Sequence, residues 1–417
     1  MSEGAARRRE RSLTWLLFFV IVVDLIGFGM VIPILPFLSP SLGGSEADIA
    51  LILASYSIAA AVAAPVWGRL SDRLGRRRIL SVCLLGGAIA HALLAASDQL
   101  WMVYFARTMA GMASGSLPVA TALIADNSQP ARRARAMGVI GRAFGIGLIL
   151  GPVVGGVLSF SESEFALPCQ VAACLSLLAA LMARILLPED APVVANSAIA
   201  EGDSVADDAV TKKRPLSSWA LVQRSRSKLF VCQFVLHTCA VSGAVYLFPL
   251  WVAAYLGWQA REVGLFFGLI GVAMLLTQGN FLGWLTERFG AIPVLRIAAM
   301  AFSLSLLASA AAREFWLMTG LGLSMFAAAT LCLPILNSIA SEAVPAGSRG
   351  QFLGVTASAA ATGRILGPLL ASTLLVRGGY SAAWLGDAFV VLLVVLWTML
   401  GAGRGIASTA TVDPKAI

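Results

Sequence analysis

The sequence has few charged residues and few of the side chains on which catalysis and metal binding most often depend. Charged residues make up 12% of the 417 residues, whereas soluble domains carry about 25%. Only two histidines are present, and the six cysteines are scattered without a Cys-x-x-Cys pair. No nucleophile–base arrangement, metal-ligand cluster or phosphate-binding glycine loop stands out. We therefore expect neither an enzyme nor a protein with a metal or other cofactor.

Long apolar stretches dominate what is present, since 59% of the residues are hydrophobic. A membrane-spanning helix needs about 20 consecutive apolar residues. Stretches of this length predict helices, because the strands of a membrane barrel are short and alternate in polarity. Twelve such stretches can be read, at 13–38, 46–68, 79–97, 100–124, 136–159, 165–187, 228–256, 262–285, 292–311, 315–340, 351–375 and 380–403. The predicted fold class is an all-α membrane protein with twelve transmembrane helices.

Six positions of the first half recur in the second half at a constant spacing of 216 residues. The matched pairs are Pro118 and Pro334, Asp126 and Glu342, Arg133 and Arg349, Gly138 and Gly354, Gly151 and Gly367, and Pro152 and Pro368. Parallel internal repeats of this size are typical of secondary transporters. They predict two six-helix bundles around a central cavity. We expect an N-terminal bundle at 1–187, a polar cytoplasmic linker at 188–227, and a C-terminal bundle with a short cytoplasmic tail at 228–417.

Positive charge is concentrated in alternate loops between the predicted spans. Arginines and lysines precede the first span and follow the second, fourth and sixth, whereas the opposite loops hold mainly acids. The positive-inside rule then places both termini in the cytoplasm, as expected for a multi-pass protein of a bacterial inner membrane. The net charge of +8 is explained by these loops, so no nucleic-acid partner is expected. The expected partners are the lipid bilayer, protons and a small-molecule substrate, with the monomer as the functional unit.

The loop after the second span combines glycines, an acid and a run of arginines. Glycines permit a tight turn, and an aspartate among arginines can form a charge-assisted latch. The pattern resembles the cytoplasmic loop signature of the major facilitator superfamily, apart from Arg78, where that family usually has proline. A degenerate copy follows in the second half at Gly283, Glu287, Arg288 and Gly290. The resemblance implies a conformational latch made by Gly68, Asp72, Arg73, Gly75, Arg76 and Arg77.

The fifth span carries glycines at intervals of four residues around a proline. Such glycines make a smooth helix face for close packing, and the proline removes a backbone donor and kinks the helix. The pattern resembles the antiporter signature of the drug:proton antiporter branch of the same superfamily. An ordinary helix-packing interface is the alternative interpretation. The residues of this antiporter helix are Gly147, Gly151, Pro152, Gly155 and Gly156.

Three ionisable residues within the spans are candidates for proton coupling, because such residues cost about 2.5–3.5 kcal/mol on insertion scales. Asp24, in the first span, is the expected proton carrier, and its surroundings resemble those of tetracycline:proton antiporters. Arg107 begins an Arg-x-x-x-Gly pattern that resembles one associated with proton coupling. Because it keeps its charge, we expect it to organise the acid or the substrate. Asp387 is either a second acid or a solvated residue near the outer end of its span. Structural ion pairs or helix contacts are the alternative roles for Asp24 and Arg107.

Polar and aromatic residues of several spans are candidates for the lining of a substrate cavity, although such side chains more often face lipid or the core. They are Tyr56, Phe144, His237, Tyr246, Gln278, Asn337 and Arg364.

The residues and the resemblance together predict a secondary active transporter for the proton-coupled efflux of a small amphipathic, drug-like compound, as in multidrug efflux and antibiotic resistance. Two alternatives stay open: proton-linked transport of a metabolite, sugar, siderophore or lipid, with uptake as one possible direction, and a transporter-derived sensor. The third and ninth spans contain no carboxylate. The pattern of the tetracycline transporters that this sequence resembles has acids in these two spans. Because this sequence lacks them, we expect its substrate to differ from tetracycline.

Overall fold

The computed structural model describes residues 3–128, 130–159, 165–187, 225–277, 280–342, 344 and 349–400. All regular elements in these ranges are helices, which confirms the predicted all-α class. They are α1 (Glu3–Val31), α2 (Leu35–Ser41), α3 (Glu46–Leu74), α4 (Arg76–Ala95), α5 (Leu100–Met112), α6 (Ser116–Asn127), α7 (Pro130–Leu158), α8 (Ala166–Leu186), α9 (Ser225–Leu256), α10 (Ala260–Thr277), α11 (Asn280–Phe289), α12 (Ala291–Ser309), α13 (Phe315–Glu342) and α14 (Arg349–Leu400).

Eleven stretches of the described chain are long and apolar enough to cross a membrane. The last of these, Gln351–Met399, contains two helices that meet at Gly379, where φ is +68°. Glycine is suited to this break because it adopts positive φ without a steric penalty. The described part of the chain therefore contains the predicted twelve membrane helices. Large apolar side chains such as Val62, Ile185 and Leu276 face outward, as expected for surfaces that contact lipid tails.

Two spans that the sequence presents as continuous are interrupted in the structure. In the first span, α1 ends at Val31 and α2 begins at Leu35, on either side of Pro33, which has no N–H to continue the helix. In the fourth span, α5 and α6 are separated by residues 113–115. The break places Pro118 in the first turn of α6, where its missing N–H costs no hydrogen bond. The prediction of uninterrupted first and fourth spans was therefore wrong.

The described helices form two compact units. The first takes the described residues of 1–213 together with 258–271, and the second takes those of 214–257 and 272–417. Leu17 of α1, Leu84 of α4 and Ala183 of α8 belong to the core of the first unit. Phe234 of α9, Leu295 of α12 and Phe352 of α14 belong to the core of the second. The predicted boundaries at 187 and 228 stay a prediction, and the linker and the tail lie largely outside the described residues.

The internal repeat is visible in how each unit packs its helices. In the first unit, a Cβ atom added at Gly151 of α7 would lie 2.6 Å from the Gly29 Cα of α1. In the second, a Cβ atom at Gly367 of α14 would lie 2.8 Å from the Gly243 nitrogen of α9. Only glycine allows the backbones to approach this closely. Residues 216 positions apart thus make the same kind of contact in both units.

We predict that Gly151→Ala destabilises the protein by about 1–3 kcal/mol, because the added methyl group would force the backbones of α1 and α7 apart. The melting temperature of the purified protein in detergent would measure the effect. Gly145→Ala is the matched control, since a Cβ atom there meets nothing within 4 Å. An equal loss of stability in the control would contradict the explanation.

Candidate functional site

Asp24 lies on α1, partly buried, and its carboxylate is bonded to α6. The Ser116 hydroxyl donates a hydrogen bond of 2.7 Å to the Asp24 Oδ2 atom. Ser116 is the first residue of α6, so the break in the fourth span brings a helix N-terminus towards the carboxylate. The carboxylate thus meets a hydroxyl donor at the positive end of the α6 helix dipole. The sequence analysis missed Ser116, although the neighbouring Gly115 and Pro118 were signals of a helix break.

Arg107 lies on α5, and only 4% of its surface is exposed. Its guanidinium carbon lies 4.6 Å from the centre of the Tyr56 ring and 6.0 Å from that of Phe28. The Nε and Nη1 atoms have no hydrogen-bond partner among the described residues. Asp24 bonds to Ser116 instead, and no ion pair joins it to Arg107 in the described part of the chain. The structure therefore brings Arg107 together with Tyr56 and does not pair it with the acid.

A buried polar pair lies in the same unit. The His91 Nδ1 atom of α4 lies 3.3 Å from the Ser176 hydroxyl of α8, and both side chains are buried. A Cβ atom at Gly27 of α1 would lie 3.3 Å from the same hydroxyl. This polar pair from α4 and α8 therefore packs against α1 at Gly27, three residues after Asp24.

The loop between α3 and α4 forms a charged network centred on Arg76. Its Nη2 atom lies 2.5 Å from Asp72 Oδ1, its Nε atom donates to Asp126 Oδ2 at 2.9 Å, and its Nη1 atom donates to the Ser71 hydroxyl at 2.7 Å. Asp126 is at the end of α6, so the network joins α3, α4 and α6. The sequence predicted Asp72 and Arg76 as latch residues but missed Asp126 as their partner.

The other predicted latch residues have different surroundings. Gly75 joins α3 to α4 with a φ of +100°, a conformation that favours glycine. The Arg77 side chain is buried and donates to the Arg184 carbonyl of α8. Arg73 lies in the exposed last turn of α3, and a Cβ atom at Gly68 would meet nothing within 4 Å. Gly68 therefore makes no close helix approach here.

The antiporter helix α7 presents glycines to two partners. Gly147, Gly151 and Gly155 lie against residues 25–30 of α1. On another face, a Cβ atom at Gly156 would lie 2.9 Å from the Gly264 Cα of α10. Pro152 lies inside α7, and its carbonyl group contacts Gly264. A single helix thus makes backbone contacts with both the first and the eighth spans.

Asp387, in the second part of α14, lies in the second unit and is 5% exposed. A Cβ atom at Gly243 would lie 2.5 Å from Asp387 Oδ1, so the carboxylate lies against the α9 backbone. The Oδ2 atom has no hydrogen-bond partner among the described residues. The interpretation of Asp387 as a solvated residue was therefore wrong.

The predicted cavity residues do not gather at one place within either unit. Phe144 packs against the core of the first unit, whereas Tyr56 lies by Arg107. In the second unit, Tyr246 is buried, the His237 ring lies 6.2 Å from that of Phe302, Asn337 is partly buried and Arg364 is exposed. Gln278 lies outside the described residues.

An apolar groove of about 490 Å³ lies between α3 and α5 in the first unit. Its walls include Ile58, Val62 and Val66 from α3 and Thr108 and Met112 from α5. The apolar side chains among them are 49–67% exposed, so the groove opens on the outward, lipid-facing surface. The Trp67 indole, which also lines it, donates to the Met112 carbonyl at 2.5 Å. Its size is within the range of small-molecule sites, about 300–1,000 Å³.

Comparisons with known proteins agree with the fold. The chain is 28% identical over 400 residues to the tetracycline resistance protein, class D, of Salmonella ordonez, covering 94% of this chain and 97% of that protein. The crystal structure of the human organic anion transporter MFSD10 (TETRAN) matches with a TM-score of 0.67 and 24% identity, over 93% of this chain and 99% of that one. That of the nucleoside transporter NupG matches with a TM-score of 0.73 and 17% identity, over 93% and 98%.

The family model described as Major Facilitator Superfamily matches residues 17–281 and 231–410, which together cover most of the chain. Twelve membrane helices in duplicated halves, the charged loop between α3 and α4, and the glycine-rich fifth span are all accounted for by this match. The chain is therefore a multi-pass membrane transporter, not an enzyme, and it belongs to the Major Facilitator Superfamily.

Proposed function

We propose that the protein exports a small amphipathic compound from the cytoplasm in exchange for protons, by alternating access. The proposal rests on the Asp24 carboxylate of α1. It accepts a hydrogen bond from the Ser116 hydroxyl of α6, at the break in the fourth span. An ionisable group at this depth is a functional candidate by default. The relationship to tetracycline resistance proteins supports efflux.

In the proposed cycle, a proton added to Asp24 removes the charge that Ser116 and the N-terminus of α6 stabilise. A hydrogen bond to a neutral acid is weaker than one to a carboxylate. Protonation therefore weakens the link between α1 and α6, and deprotonation restores it. The cycle couples proton movement to substrate movement if the two sides of the membrane are open in different protonation states.

The antiporter helix supplies the pivot in this proposal. Because α7 contacts α1 through one set of glycines and α10 through Gly156, a change at α1 reaches the eighth span through one helix. Glycine surfaces have no side chains to interlock, so they suit contacts that form and separate repeatedly. Pro152, which leaves one helical hydrogen bond unmade, gives α7 a place to bend.

The Arg76 network would act as the latch on the basic, cytoplasmic side of the membrane. Asp72 and Asp126 are both more than half exposed, so each ion pair contributes only about 0–1 kcal/mol. Such bonds are weak enough to break in each cycle. We place both termini in the cytoplasm of a bacterial inner membrane and take the monomer as the working unit.

The apolar groove between α3 and α5 supports an amphipathic substrate, because its walls offer few polar atoms beyond Ser55 and Thr108. Within the described chain, the third and ninth spans, α4 and α12, hold no carboxylate, so the substrate need not be tetracycline. The names of the similar proteins point to tetracycline, organic anions and nucleosides in turn.

Asp24→Asn is expected to abolish substrate-evoked proton flux, because the amide group cannot carry the proton. Purified protein in sealed liposomes with an internal pH-sensitive dye would measure the flux as amphiphilic compounds are added. Asp98→Asn, at an exposed position between α4 and α5, is the matched control and should keep wild-type flux. Unchanged flux in Asp24→Asn would remove Asp24 from the mechanism.

Ser116→Ala is expected to slow proton-coupled exchange by about tenfold, since a hydrogen bond to a charged group contributes about 1.5–3 kcal/mol. The same liposome assay measures this rate. Ser116→Thr should retain most of the activity because it keeps the hydroxyl group. Ser114→Ala, whose hydroxyl donates to the Gly111 carbonyl, is the neighbouring control. If it slows exchange as much as Ser116→Ala, the Asp24 bond is not the cause.

Arg76→Gln is expected to lower the exchange rate severalfold while changing the melting temperature little, because exposed ion pairs add little to stability. Arg78→Gln, at an exposed position in the same arginine run, should leave the rate unchanged. Rate measurements in liposomes and melting curves in detergent would test both variants. A large loss of stability in Arg76→Gln would favour a structural role over a latch.

A further inference from the structure

The Arg107 guanidinium is a buried positive charge that forms no ion pair with any acid in the described part of the chain. Its Nε and Nη1 atoms, which carry three N–H groups, have no acceptor among the described residues. The Tyr56 and Phe28 rings attract the cation through their faces, which supplies only part of the stabilisation that water would give. Because arginine keeps its proton in proteins, it cannot escape the cost by becoming neutral.

The described acids of the first unit that have a known partner bond to groups other than Arg107; Glu262, for example, accepts a hydrogen bond from the Gln259 N–H. Asp24 accepts from Ser116, Asp48 from Ser45 and Tyr104, and both Asp72 and Asp126 pair with Arg76. Because an uncompensated buried charge costs about 3–5 kcal/mol, this cation favours an anion from outside the described residues.

We propose that Arg107 binds the anionic group of the transported compound, so that the substrates are amphipathic organic anions. This inference rests on the proposed transport function and narrows its substrate class. A guanidinium presents planar N–H donors that suit carboxylate, sulfonate or phosphate oxygens. The bound anion would take up the unpaired donors and balance the charge that the protein leaves open.

The apolar groove between α3 and α5 would contact the apolar part of such a molecule. Its lining residues Ser55 and Thr108 are one position from Tyr56 and Arg107 along α3 and α5, but Tyr56 and Arg107 do not themselves line it. The pair α3 and α5 therefore carries both an apolar surface and a buried cation. A compound with an apolar ring system and one negative group matches both features.

A pair of probes that differ only in charge tests the proposal. N-dansylglycine carries a carboxylate at neutral pH, whereas its methyl ester does not. Binding of each probe to the purified protein in detergent would be measured by fluorescence titration. The variants are Arg107→Gln, Arg107→Lys and Arg142→Gln, the last being an exposed arginine of α7. Size-exclusion chromatography and melting curves would confirm that each variant is folded.

The wild type is expected to bind the acid at least about tenfold more tightly than the ester, because the acid supplies a charged acceptor. Arg107→Gln should reduce this preference to about one. Arg107→Lys should retain part of it, since lysine keeps the charge but lacks the planar donors. Arg142→Gln should behave as the wild type.

Equal binding of acid and ester by the wild type would by itself overturn the proposal. So would a preference for the acid that is unchanged in Arg107→Gln, or one that is completely lost in Arg142→Gln. The test is independent of proton coupling. A charge preference that depends on Arg107, without substrate-evoked proton flux, would keep the anion site and reject the antiporter. Equal proton flux with acid and ester would keep the antiporter and reject the anion site.

Discussion

The close backbone contact between α1 and α7 is the constraint on which the first unit depends. A Cβ atom at Gly151 would lie 2.6 Å from the Gly29 Cα atom, so no other residue fits at position 151 without a shift of the helices. The contact holds α1 in place at Gly29, about one turn from Asp24 along the same helix. Asp24 can therefore reach Ser116 at the start of α6. It also leaves the other face of α7 for Gly264 of α10. Asp24, which we propose as the proton site, and the contact of α7 with the eighth span are therefore both positioned by one glycine surface.

The repeat duplicates this scaffold but not its chemistry. Gly151 contacts Ile26 of α1, and the equivalent Gly367 contacts Cys239 of α9. Ile26 and Cys239 are therefore equivalent positions, and two residues before them Asp24 corresponds to His237. At the spacing of 216 residues, Arg107 corresponds to Leu323, and one residue from that spacing Arg76 corresponds to Ala291. Arg76 and Arg107 thus have no charged counterpart at the matching positions of the second half. The two halves share a packing scaffold but differ in their ionisable groups.

The sequence was sufficient for the fold and for part of the site, for a physical reason. Asp24, Arg107 and Asp387 contrast with apolar surroundings, and the loop and glycine patterns are periodic, so all could be found without coordinates. Ser116 and Asp126 could not be found in this way, because a hydroxyl group in a span is unremarkable and a loop acid has many possible partners. The aromatic cavity residues were predicted from composition alone. Tyr246 is instead fully buried, since aromatic rings fill cores as readily as they line sites.

Unpaired buried charge is a cost that a purely structural protein has no reason to retain. In the described chain, both Arg107 and Asp387 are at least nine-tenths buried and have polar atoms without partners. Replacing such groups with apolar residues often stabilises a protein. A transporter differs because its function requires ligand binding to change the relative stability of two conformations, and a ligand can shift that equilibrium only by its differential affinity. A charge left unsatisfied in one state gives an ion or substrate a large difference in affinity between states, so in the mechanism that we propose the feature that weakens the fold supplies the coupling.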